Sequence, residues 1–164
     1  MIPLFCKGQT AENFDTIVAP VTYDINAHGK ILLWDLDTPA PSNLGCLAVL
    51  TPRALDGPES SVPCITNLNR WGHFTEGDIV AVHPQGRVET LFRIQSPHNS
   101  LFITDRCNSN CLMCSQPPRN IDDLDALYNL NSRLISLIPK DTEELGITGG
   151  EPTLLGRRLP KLEG

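Results

Sequence analysis

The chain has no apolar run approaching the roughly 18 residues of a membrane-spanning helix, which argues against a helical transmembrane protein. It has no basic excess either: 13 Lys and Arg stand against 19 Asp and Glu, for a formal net charge of −6. General binding of nucleic acid or of an anionic membrane is therefore not expected. Residues 1–7 lack a basic stretch followed by an apolar core, so no secretory signal is expected. The six cysteines then read as reduced thiols of a cytoplasmic protein rather than as three disulfides. Residues 1–98 also lack any segment of helical period. What remains is 164 residues, 40% hydrophobic and 20% charged, which suits one globular domain or two small ones.

The first part of the chain is rich in strand signals. Residues 16–25 alternate Ile17, Ala19, Val21, Tyr23 and Ile25 with Thr16, Val18, Pro20, Thr22 and Asp24, the mark of a half-buried strand. Residues 30–36 and 44–50 are further strand candidates, with a loop at 39–43 between them and a longer loop at 51–61. Residues 78–83 and 87–93 predict a hairpin about Pro84-Gln85-Gly86, where Gly86 supplies a positive φ. A small open barrel or sandwich over residues 1–98 is the expectation.

After Ser96-Pro97-His98-Asn99 the pattern changes to strand, helix, strand. Leu101, Phe102 and Ile103 form a short apolar strand. Pro117 and Pro118 forbid a helix just past the cysteines, and Asn120 is the expected cap, with Asp122 and Asp123 in the first turn. Leu124, Leu127, Tyr128, Leu134, Ile135 and Ile138 then share one helical face, predicting a helix over 121–138 that Pro139 ends. Residues 145–148 make the next strand. This is a β-α-β unit, whose strands pair in parallel. The fold class expected is α/β, with domains at 1–98 and 99–164.

The chemistry is concentrated at Cys107, Cys111 and Cys114, spaced C-x3-C-x2-C directly after the first of these strands. A structural zinc site wants four protein ligands, and three thiolates without a nearby fourth leave it incomplete. A four-iron cluster on three cysteines keeps one iron open for a substrate or cofactor. Gly149-Gly150-Glu151-Pro152 follows the second strand. The glycines let a ligand reach the backbone, Glu151 offers a carboxylate to an ammonium group, and Pro152 stiffens the turn. If the two strands are neighbours, both motifs lie on the rim where α/β folds place their chemistry.

Together these two motifs resemble those of the radical S-adenosylmethionine (SAM) enzymes. The resemblance implies a 4Fe-4S cluster on Cys107, Cys111 and Cys114, with the SAM amino and carboxylate groups on the fourth iron. It implies that Gly149, Gly150, Glu151 and Pro152 bind the SAM amino group, and that reductive cleavage of SAM yields a radical that abstracts a substrate hydrogen. Met113 stands where many members carry an aromatic residue, and it can pack near the adenine without stacking as a ring. No residue is assigned to catalysis beyond these.

More narrowly, residues 104–118, preceded by a β-rich segment, resemble a maturase of the His-Xaa-Ser peptide-modification system. That family implies a small partner protein with His-Xaa-Ser repeats, a second radical SAM maturase and an electron donor. The expected core is the first β-α-β portion of a partial (β/α)6 barrel, about three quarters of a barrel of roughly 250 residues. Residues 100–164 hold two strands and one helix of it, which leads to the expectation of a truncated copy, with a split enzyme as the lesser reading. The tail 156–164 carries Gly156 and Pro160 and no sustained helical stripe.

Two other classes compete. One is a structural zinc module with His98 or Cys64 as fourth ligand, and the other is a binding module in which residues 1–98 recognise a partner. Cys6, Cys46 and Cys64 read as small core residues, and His28, His73, His83 and His98 as surface or loop residues. Trp34 and Trp71 are expected to pack the β domain. Arg106 and Asn108 are expected to satisfy loop hydrogen bonds, and Arg157 and Arg158 to be a solvated pair.

Overall fold

Period-two runs of aliphatic residues become strands throughout the first half of the chain. The computed structural model describes residues 4–10, 13–35, 45–54, 62–109, 111–114 and 119–162. The chain divides into the units Met1–Gln95 and Ser96–Gly164, slightly ahead of the expected 98/99 boundary.

In the first unit the described strands are β1 (Phe5–Lys7), β2 (Ile17–Thr22), β3 (Ile31–Leu33), β4 (Ala48–Leu50), β5 (Cys64–Ile65), β6 (Ile79–Val82) and β7 (Arg87–Phe92). They form one mixed sheet in the order β1-β7-β6-β2-β3-β4-β5. The pairs β1–β7, β7–β6 and β6–β2 are antiparallel, while β2–β3, β3–β4 and β4–β5 are parallel. The hairpin turn closes with Gly86 N–H donating to His83 C=O at 2.9 Å, and Gly86 has φ 77°. The loop expected at 39–43 and most of that at 51–61 lie outside the described residues.

The two ends of this sheet meet. Just past β1 and β5, Gln9 and Thr66 exchange backbone hydrogen bonds of 2.7 and 2.8 Å. Asn69 adds to the seam: its N–H donates to Lys7 C=O, and its Oδ1 accepts from Lys7 N–H, both at 2.9 Å. The expected open barrel or sandwich is therefore a sheet bridged into a closed one, which removes strand edges that would otherwise stay unpaired. Val21, Ile31, Leu50, Ile65, Val80, Val82 and Val88 fill the interior, and Trp71 packs against them. Trp34 packs on a second cluster around Leu32, Cys46 and Val49.

Asp78 is buried at the start of the hairpin, where its carboxylate accepts from Thr75 N–H (3.0 Å) and Ile94 N–H (2.9 Å). His73 is not simply a surface residue. It lies against the Phe74 ring, centroids 4.0 Å apart, with both ring nitrogens buried.

The second unit contains β8 (Asn99–Phe102), α1 (Leu124–Ile135) and β9 (Leu145–Thr148). β8 and β9 pair in parallel, with Leu101 opposite Ile147 and Phe102 opposite Thr148. Leu101, Ile103, Leu134 of α1 and Leu155 are each buried. Each such side chain contributes about 1.5–3 kcal/mol when fully removed from water. Asn131 of α1 donates to Phe102 C=O at 2.9 Å. Successive strand residues alternate their polar groups, so this carbonyl faces away from β9, and Asn131 satisfies it.

Three sequence expectations are corrected here. The helix is shorter than 121–138, and its N-cap is Asp123 rather than Asn120. The tail is not without helix: Pro152–Leu162 forms 3₁₀ turns kinked at Gly156 (φ 55°, ψ −126°), with Leu155 and Leu162 buried. Arg158 is not a merely solvated partner of Arg157, because it pairs with Asp125 of α1 and its guanidinium lies 5.6 Å from the Tyr128 ring centroid.

Candidate functional site

The rim of the second unit is built on three residues, Thr104-Asp105-Arg106, between β8 and Cys107. Ile103 N–H still donates to Thr148 C=O at 2.9 Å, and the pairing then continues past both strands. Gly150 N–H donates to Thr104 C=O at 2.7 Å, and Glu151 N–H donates to Arg106 C=O at 2.9 Å. The Gly149-Gly150-Glu151 turn is thus joined by backbone to the residue before the first cysteine.

This geometry explains both glycines. Gly149 has φ 123°, and a Cβ there would lie 2.7 Å from the Thr104 carbonyl oxygen. A Cβ on Gly150 would collide with the Arg106 carbonyl. The close approach they allow is made by the chain's own backbone.

From the helix side, Asp123 holds the same three residues. Its Oδ1 accepts from the Thr104 hydroxyl at 2.6 Å and its Oδ2 from Asp105 N–H at 2.7 Å. Thr104 Oγ1 in turn accepts from Arg106 N–H at 3.0 Å. Arg119 N–H donates to Asp105 C=O at 3.0 Å, so the cysteine loop is pinned where it leaves and where it returns. Arg106 also faces Asp122 at 3.6 Å, an exposed pair of small energetic weight. Sequence reasoning missed Thr104, Asp105, Asp123 and Arg119, because no local signal tells a carboxylate capping its own helix from one reaching a strand 18 or 19 residues away.

Above this base the cysteines differ. Cys107 is partly buried, and Ser109 N–H approaches its Sγ at 3.4 Å. Cys111 and Cys114 are exposed and share a turn, with Cys114 N–H donating to Cys111 C=O at 3.1 Å. Between them Leu112 and Met113 are 99% and 93% exposed. None of the six cysteines is in a disulfide. Among the described residues, no group of three or more His, Cys, Asp or Glu side chains is gathered closely enough to hold a metal ion. His98 bonds locally with Ser96 through its backbone. Asn110 and Ser115 to Pro118, which belong to the motif region, lie outside the described residues.

The donor set nevertheless suits an iron–sulfur cluster: three thiols on one loop of eight residues, none cross-linked. Cys6 and Cys46 suit one poorly. Burial pushes the Cys6 thiol up to about 11 and also raises that of Cys46, and the thiolate is the ligating form.

Glu151 lies at the head of the 3₁₀ turns. Its Oε1 accepts from Thr153 Oγ1 at 2.6 Å and Thr153 N–H at 3.0 Å. The hydroxyl first, and the backbone N–H second, hold this carboxyl below its ordinary range. Glu151 is thus charged at neutral pH, and it becomes protonated only as the pH falls through that lowered value.

No known protein-family profile matches the chain. A GTP 3',8-cyclase of Peptoclostridium acidaminophilum is 34% identical over 74 residues, covering 39% of this chain. The chain spans 23% of the length of that curated relative. The cyclase is a radical SAM enzyme, and the likeness supports a relationship at the level of that superfamily and nothing finer.

Proposed function

We propose that the second unit is part of a radical SAM enzyme, with Cys107, Cys111 and Cys114 as the ligands of a 4Fe-4S cluster. The observation that carries this reading is the backbone joining of Gly149-Gly150-Glu151 to the residues immediately before Cys107. It brings the base of the three-thiol loop and a charged carboxylate to one rim. When bound, the cluster and SAM would supply reductive cleavage of SAM and hydrogen abstraction from a substrate.

The chain's own contributions are binding and orientation. Glu151, whose Oε2 takes neither bond from Thr153, would hold the SAM ammonium group. Met113 offers exposed apolar surface to the adenine. Gly149 and Pro152 keep the turn in place. The partial (β/α)6 barrel remains part of this proposal, of which β8, α1 and β9 would be the opening portion.

Within this reading the finer assignment is a peptide maturase of the His-Xaa-Ser system. Its support is the resemblance of residues 104–118 together with the β-rich unit ahead of them. The implied partners are a small protein with His-Xaa-Ser repeats, a second radical SAM maturase and an electron donor. A cytoplasmic, reducing setting accords with six cysteines outside disulfides. The reaction of the cyclase is not carried over, because the likeness spans only 39% of this chain.

The test is anaerobic reconstitution followed by iron and sulfide analysis. The expected content is about four irons and four sulfides per chain, as the cluster type requires. Cys111→Ala should lower it sharply. Stoichiometric zinc without iron, or iron unchanged in Cys111→Ala, would refute the assignment.

A further inference from the structure

Asp123 occupies the N-cap position of α1 yet makes no side-chain cap bond. Its carboxylate is turned instead to the base of the cysteine loop, where Oδ1 takes the Thr104 hydroxyl and Oδ2 the Asp105 N–H. An N-cap aspartate ordinarily satisfies an unpaired N–H of its own helix, so this diversion forgoes a local gain for a tertiary contact. Both bonds are charge-assisted and short. Thr104 is fully buried, and its hydroxyl relays the constraint by accepting from Arg106 N–H.

The chain's other bonds converge on the same residues. Thr104 C=O, Asp105 C=O and Arg106 C=O each accept a backbone N–H, from Gly150, Arg119 and Glu151 respectively. Asp123 therefore completes a frame that fixes the backbone immediately before Cys107. Beyond Cys107 the loop carries two exposed cysteines and two almost fully exposed apolar side chains. The bonds of this frame fall on the three residues just before the first thiol.

We propose that Asp123 is a positioning residue that sets Cys107 as the fixed first ligand, around which Cys111 and Cys114 are gathered. The proposal rests on the radical SAM reading for its purpose, but its first test does not require a cluster. It places a residue of α1, outside both motifs, in control of where the first thiol stands.

The experiment is native-state alkylation of the reduced full chain with iodoacetamide, read thiol by thiol by peptide mass spectrometry. In the wild type Cys107 should react more slowly than Cys111 and Cys114. Asp123→Ala should speed Cys107 about tenfold while changing the other two less than about twofold, as expected for losing a charge-assisted bond at the base alone. The far-ultraviolet circular dichroism of α1 should persist. Asp123→Asn keeps an acceptor for Asp105 N–H and can donate to the Thr104 hydroxyl, so it should restore most of the protection.

An unchanged Cys107 rate with the helix intact would overturn the proposal. So would a uniform rise at all three thiols with loss of helix, which marks a merely structural role. If Asp123→Ala does not fold, Thr104→Val, which exchanges the hydroxyl for a methyl group of similar size, is read by the same criteria. In a second arm, reconstituted Asp123→Ala should hold less iron than wild type and show a shifted electron paramagnetic resonance spectrum. A wild type that takes up no iron defeats the radical SAM reading, while the alkylation rates still decide the role of Asp123.

Discussion

Gly150→Ala should destabilise the second unit by about 2–3 kcal/mol, and the reason is purely steric. Its φ is not in the left-handed region, so alanine's dihedral preference costs nothing. The added Cβ would overlap the Arg106 carbonyl, which is backbone and cannot rotate away. The turn must withdraw, and two bonds then break: Gly150 N–H to Thr104 C=O and Glu151 N–H to Arg106 C=O. At about 1 kcal/mol each, with up to about 1 more for leaving a buried carbonyl unpaired, the total is about 2–3 kcal/mol. Gly146, in β9 just ahead of this turn, is the control. A Cβ there would meet Ser100 Cβ at 3.4 Å, an ordinary contact, so Gly146→Ala should be neutral or slightly stabilising. Urea unfolding followed at the helical dichroism band measures both. A Gly150→Ala protein within about 0.5 kcal/mol of wild type would refute the steric argument, because that is the range of an uninvolved surface change.

The barrel unit supplies two more expectations. The Cys6 thiol is raised from 9.0 to about 11 by burial, so the fold favours its neutral form. Its contribution is fully present below pH 9 and is lost as the pH rises toward 11. Wild type should therefore lose stability more steeply than Cys6→Ala between those values, and equal slopes in urea midpoints would refute it. Asp78→Ala leaves the N–H groups of Thr75 and Ile94 without their acceptor, and should cost about 2–4 kcal/mol. Asp78→Asn retains one acceptor and should cost about half as much. A loss under about 1 kcal/mol for the alanine variant would contradict the role assigned to this carboxylate.

What could be read in advance was local. The β6–β7 turn is written in Pro84-Gln85-Gly86, whose φ demands act within four residues. The strands at 101–103 and 145–148 and the helix between them follow from apolar spacing alone. Closure of the barrel was not legible, because it depends on a two-residue strand, Cys64–Ile65, on the Gln9–Thr66 bridge and on the Lys7–Asn69 bonds beside it. No periodicity accumulates over two residues. The tail was misread for a related reason: Gly156 and Pro160 look like helix breakers, yet a kink at Gly156 divides the segment while burying Leu155 and Leu162.

The site divides along the same line. Cysteine spacing announces a ligand set because three thiols within eight residues are improbable without a common purpose. The frame beneath them gives no such signal. Thr104 and Asp123 are 19 residues apart, and only parallel pairing of β8 with β9, with α1 returning across them, brings the carboxylate to the strand end. Two consequences follow for how the rim works. The glycines of the second motif are needed before any ligand arrives, since backbone already fills the space they open. The exposed part of the loop, Cys111 to Cys114, stands outside the set of bonds that holds the backbone before Cys107. Binding a cluster would leave that base in place, and the conformational entropy of fixing it has already been met by folding.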